Sequence, residues 1–171
     1  PAPTTNPARK TRIRAAPRLD RRTSSWDFRP VAEFHATNDR GTFDAGASGT
    51  LPVIGGAGFE LWNPSTGELY ASGNRSTIET ALQAKRQRQI KLASSAFFGQ
   101  SREWAADPAT LPLRHARIAF RDITRATDTR TMIAALVPPS VALTNKAPYL
   151  FRVNGSAPTE AFLLGVLSSI P

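Results

Sequence analysis

The chain has 171 residues, 40% of them hydrophobic, and carries 22 Lys and Arg against 13 Asp and Glu, a net charge of +9. That length gives room for one domain with a real core, and the charge attracts polyanions: nucleic acid first, an anionic membrane or an acidic protein otherwise. With no cysteine, disulfides, thiol nucleophiles and cysteine-ligated metals are excluded, and no stretch approaches the roughly 20 apolar residues of a membrane span or the apolar run of a secretory signal, so the chain reads as soluble.

Lysine stands only at 10, 85, 91 and 146, so arginine supplies most of the charge, which suits forked contacts with phosphates and guanine edges. Residues 1–25 hold seven of these cations, Arg9 to Arg22, among four prolines and very little apolar material. They read as a linker or as a basic arm along a phosphate backbone. Both termini read as cut from a longer chain: it begins Pro1-Ala2-Pro3, and Ile170-Pro171 closes an apolar run.

Core-forming residues begin at Trp26, with Phe28, Val31, Phe34 and Phe43, and the span 26–171 is taken as one domain. Leu51–Ile54 leads into Gly55-Gly-Ala-Gly58, and Phe59–Trp62 with Glu68–Tyr70 forms an expected hairpin over 59–71, turned by Asn63-Pro and Thr66-Gly67. Ser76-Thr-Ile-Glu79 has the pattern of a capping box, predicting a helix over about 77–93. Its Ile78, Ala81, Leu82, Leu92, Ala93 and Ala96 share one side, and Lys85, Arg86, Arg88 and Lys91 fall on the flanks and far side.

Asp107-Pro108 and Leu111-Pro112 then interrupt regular structure. Arg117–Thr124 and Arg130–Val137 predict two strands paired as a hairpin about Ala126–Thr129, with arginines at its tip. Val141–Thr144 and Tyr149–Val153 predict two more short strands about a turn at Asn145–Pro148. From Pro158 a helix with Ala161, Phe162, Leu163, Leu164, Val166, Leu167 and Ile170 has no polar face and is expected to be buried. The expected fold class is α+β: mostly antiparallel short strands and hairpins, one basic amphipathic helix and one buried C-terminal helix, in a domain left incomplete by truncation.

Several chemistries are missing from the sequence. There is no Walker-type Gly-Lys-Ser/Thr, and Gly55-Gly-Ala-Gly58 lacks the spacing of a dinucleotide loop and precedes a strand. His35 and His115 are the only histidines, so no metal site is expected. None of the four lysines follows an acidic residue at the two-residue spacing that metal-dependent nucleases use. Asn63-Pro64-Ser65 lacks the second proline and the ring with which amino methyltransferases hold a flipped base. No catalytic centre is expected in this piece.

Five motifs in order, Phe59-Glu-Leu-Trp-Asn-Pro-Ser-Thr-Gly67, Ala116–Thr124, Arg130–Pro138, Thr144-Asn-Lys-Ala-Pro-Tyr-Leu150 and Ala161–Ser169, resemble the region following the catalytic domain in large type II restriction-modification enzymes with a fused adenine methyltransferase. The resemblance runs from about Trp26 to the end. It implies a bacterial-type cytoplasmic parent that moves a methyl group from S-adenosylmethionine to adenine N6, sometimes with an endonuclease domain. The catalytic methyltransferase domain would lie upstream of Pro1, this fragment would bind no cofactor itself, and it would serve phage defence as the target-recognition part holding double-stranded DNA.

A two-stranded ribbon fits the major groove, which makes the 114–131 hairpin the expected reader of bases, through Arg114, Arg117, Arg121, Arg125, Arg130 and Thr131. The structural alternative is that Arg121 pairs with Asp122 and Arg130 with Asp128. Lys85, Arg86, Arg88 and Lys91 are a solvated helix face or phosphate contacts, and Asn145 and Lys146 are turn residues of secondary rank. Two other function classes stay open: a non-enzymatic basic RNA- or nucleic-acid-binding domain, and a structural connector of a large enzyme whose arginines serve internal ion pairs.

Overall fold

The computed structural model describes residues 18–19, 26–43, 50–128, 130–154 and 156–169. Most of the expected linker lies outside them. Of the described part, Leu19 belongs to the fold: its carbonyl accepts the Phe28 N–H at 3.1 Å and its side chain packs beside Phe28.

The architecture is α+β, with two sheets of short strands. Strands β1 (Asp27–Val31), β4 (Arg117–Phe120), β5 (Ala134–Val137) and β7 (Tyr149–Asn154) form an antiparallel sheet in the order β1-β7-β4-β5. A smaller sheet has β2 (Leu51–Ile54) at its centre, antiparallel to β3 (Ala71–Gly73) and parallel to β6 (Ala142–Leu143). The helices are α1 (Arg40–Phe43), α2 (Arg75–Gln89), α3 (Arg102–Ala106) and α4 (Ala157–Ser169).

Strand alternation builds the layers. In β4 and β5, Ile118 and Ala134 face α4, where they meet Phe28, Leu150 and Leu163, while Ala119, Ala135 and Val137 face inward to Ile54, Leu143 and Tyr149. On the far side of the small sheet, Leu51, Val53 and Ala142 meet Ile78 and Leu82 of α2. The order is therefore α4, large sheet, small sheet, α2. Pro30 is exposed on the edge strand β1, where its missing N–H interrupts no ladder.

The strand pair expected from 117–124 and 130–137 forms, with Arg117 opposite Val137 and Phe120 opposite Ala134. It is shorter than expected: β4 ends at Phe120 and β5 begins at Ala134, and the Arg121 N–H bonds the Ile133 carbonyl just beyond the strands. The 59–71 hairpin and details of the helices differ from expectation. No hairpin spans 59–71: the chain turns tightly between Glu60 and Asn63, with Trp62 at φ 61°, and the returning arm bonds back to Gly58 and Val53 instead. Residues 55–70 are thus an excursion between β2 and β3. The two short strands expected about Asn145–Pro148 form as β6 and β7, each in a different sheet.

Asn74, not Ser76, caps α2, its side-chain oxygen accepting from Ser76 N at 3.0 Å and Thr77 N at 3.4 Å. The helix ends at Gln89, leaving Leu92 in a turn and exposed. Helix α4 is not enclosed: Leu163 and Ser168 are buried, but Phe162, met edge-on by the Trp26 ring at 5.7 Å, is still 61% exposed.

Gly73 sits where a side chain would collide. A Cβ there would lie 2.4 Å from Ile78 Cδ1 and 3.1 Å from Phe43 Cα. Gly73→Ala is expected to lower unfolding free energy by about 1–3 kcal/mol in urea denaturation, since α2 must shift to admit the methyl group.

Candidate nucleic-acid interface

The arginines divide into internal clamps and surface groups. Arg117 is 3% exposed; its Nη2 bonds Glu33 Oε1 at 2.9 Å and the Val141 carbonyl at 2.7 Å, and its guanidinium lies 5.4 Å from the centre of the Tyr149 ring. Glu33 Oε2 accepts the Leu143 N–H at 2.7 Å, so one buried ion pair ties β4 of the large sheet to the β6 strand of the small one. Burial pushes the Glu33 carboxyl up, against the opposing pull of Arg117, the Leu143 N–H and Lys85. Lys85 Nζ, half-buried, donates to the Glu33 carbonyl at 2.5 Å.

Arg86 is 2% exposed and stacks 4.4 Å above Trp104. It donates to the carbonyls of Ala105 and Asp107 and to the Thr110 hydroxyl, holding the end of α3 and the proline-rich turn after it. Burial lowers its guanidinium below the ordinary value, with Tyr149 and Asp107 opposing. Arg29 works in the same way, paired with Asp27 and donating to the carbonyls of Ala96 and Phe98. We expect Arg86→Ala to lower stability by about 2–4 kcal/mol and the exposed Arg88→Ala to change it by less than about 0.5 kcal/mol, read from thermal unfolding.

The remaining expected contacts are mostly at the surface. Arg114 pairs with Glu79 at 2.6 Å. Arg121 pairs with Glu60 at 2.5 Å rather than with Asp122, and also reaches the Phe59 carbonyl. Arg130 Nη1 donates to the Ser168 carbonyl at 2.6 Å, satisfying the last turn of α4. Asn145 Oδ1 accepts from Ala36 N at 2.9 Å. Arg88, Lys91, Arg125, Thr131 and Lys146 are exposed.

Three loops meet at one end of the molecule. Gly56 passes so close to 146 that a Cβ would lie 2.9 Å from the Lys146 carbonyl oxygen and 3.4 Å from Arg121 Cγ. That contact requires glycine. Asp122 N donates to the same Lys146 carbonyl at 3.3 Å, and Tyr70 and Asn145 both bond the backbone of Ala36. Arg125, Ile123 and Lys146 are exposed residues of these loops, and Asp128 closes the 125–128 turn by accepting the Arg125 N–H at 2.7 Å. The exposed rings of Trp62 and Tyr70 belong to the same excursion as Gly56. Sequence reasoning did not place 55–70 here, although its glycines signal the close approach.

Lys91 and Arg102 line a separate recess with Gln87 and Ile90. Among the described residues no group of three or more His, Asp or Glu is placed to hold a metal ion, and no helix is long and apolar enough to cross a membrane. No protein-family model matches the chain, and no curated protein or solved structure shows significant similarity to it.

Proposed function

We propose that the chain recognises double-stranded DNA, as the target-recognition part of a restriction-modification enzyme of the bacterial cytoplasm. The parent's catalytic domain would transfer a methyl group from S-adenosylmethionine to adenine N6. The observation that carries the reading is the three-loop end. It presents Arg125 and Lys146 to solvent on backbones pinned by Arg121, Asp128 and Asn145. Pinned loops position a guanidinium on a base edge at little entropic cost, and Ile123 beside it offers an apolar contact for a thymine methyl. In this reading Arg125 and Thr131 face bases, Lys146, Arg88 and Lys91 touch phosphates, and Arg86, Arg117, Arg121 and Arg130 hold the scaffold.

The test is selection from a random duplex pool at two salt concentrations, with RNA in parallel. Enrichment of one short duplex motif is the expected result, and equal salt-sensitive retention of RNA and every duplex favours a basic module without base readout. A connector role has its own support in the carbonyl-clamping of Arg29, Arg86 and Arg117, and complete absence of binding would favour it.

A further inference from the structure

β4 and β7 pair at Ala119↔Tyr149 and diverge beyond it, leaving the large sheet open where Arg117 and Phe151 would otherwise face each other. A cleft of about 380 Å³ passes through the splay, lined among others by Trp104, His115, Arg117, Phe151, Arg152 and Glu160. That volume lies within the range of ordinary small-ligand sites. It shares no residue with the three-loop end.

Its walls carry hydrogen-bonding capacity only partly used: the Glu160 carboxylate already accepts the Ile118 N–H, while two arginine nitrogens have no acceptor. Arg117, whose side chain is 4% exposed, keeps an Nε without an acceptor, and Arg152 Nη1 likewise has no hydrogen-bond partner among the described residues. Arg152 Nη1 stands 3.6 Å from Glu160 Oε2, an ion-pair distance too long for a hydrogen bond. Both side chains of that pair remain partly exposed. Trp104 and Phe151, with ring centres 5.5 Å apart, supply an aromatic wall, and Arg86 braces the indole. His115 is committed to the Ala109 carbonyl through Nε2 at 2.7 Å.

A neighbouring carboxylate and guanidinium beside aromatic rings complement one nucleobase edge in particular. Guanine presents O6 as acceptor next to N1–H and N2–H as donors, whereas adenine presents one donor and one acceptor, and cytosine lacks the paired donors. We propose that this cleft binds an unpaired guanine, Glu160 accepting from N1–H and N2–H, Arg152 donating to O6, and the ring lying against Trp104 and Phe151. The Watson–Crick edge is free only in single-stranded or extruded nucleotides, so the site is separate from duplex recognition and stands or falls without it.

Calorimetric titration of the full chain with mononucleotides tests this without any duplex. GMP is expected to bind saturably and at least about tenfold more tightly than AMP or CMP, and IMP, which lacks the 2-amino group, to bind several-fold more weakly than GMP. Glu160→Gln should abolish the preference for GMP over AMP, and the IMP comparison answers the same question should that variant fold poorly. Equal affinity for GMP and AMP, displacement of GMP by an equal concentration of inorganic phosphate, or no saturation by GMP would overturn the proposal.

Discussion

Arg117→Ala is expected to lower the unfolding free energy by about 3–5 kcal/mol, measured by urea denaturation. The substitution leaves Glu33 buried at 4% exposure with its only ion-pair partner among the described residues removed, and it frees the Val141 carbonyl that Arg117 also serves. Two sheets lose their polar tie together, because Glu33 grips the Leu143 N–H of the small sheet while Arg117 stands in the large one. Replacing both partners by apolar residues, Glu33→Leu with Arg117→Met, is expected to cost much less than Arg117→Ala alone, since no uncompensated charge remains. Equal losses for the single and double variants would show that packing, not the ion pair, holds the sheets.

The second large effect is on binding. Arg125→Glu combined with Lys146→Glu is expected to weaken duplex affinity by about a hundredfold and, through the lost Lys146–phosphate contact, to flatten the dependence of log affinity on log salt by about one unit. Both side chains are exposed, so stability should change little. The matched reversal on the helix, Arg88→Glu with Lys91→Glu, removes phosphate contacts alone and is expected to weaken all sequences alike. Fluorescence anisotropy with the selected motif and a scrambled duplex separates the two. A larger loss of motif preference in the helix variant would move the base-reading surface away from the loops.

Much of the fold was legible in local patterns. The pairing of Arg117–Phe120 with Ala134–Val137 follows from alternation, and α2 follows from its apolar spacing. What alternation could not show is which strands meet over long distances. Val141–Leu143 and Tyr149–Val153 are adjacent in sequence and equally apolar, yet β6 lies parallel to β2 and β7 lies between β1 and β4. The apolar composition of α4 likewise said nothing of how many neighbours would cover it.

The cations were harder to read, because an arginine looks alike in sequence whether it faces solvent or clamps carbonyls. A signal did exist. Ile78, Leu82 and Arg86 recur every four residues and are the buried residues of α2, so Arg86 continued the apolar stripe instead of leaving it. Arg117 shares the inward face of β4 with Ala119 by the same argument of period. Chains rich in loops and proline have many carbonyls to satisfy, and arginine's five donors can hold several at once. The basic charge therefore overstated the surface available to a polyanion and pointed too broadly along the 114–131 segment.

The three-loop end is the proposed DNA-contacting surface. Photo-crosslinking of the chain to its selected duplex, mapped by peptide mass, tests that directly. The predicted result is crosslinks within 121–133 and 144–148, lost in the Arg125→Glu, Lys146→Glu variant. Crosslinks confined to 86–91, or spread evenly along the chain, would contradict it.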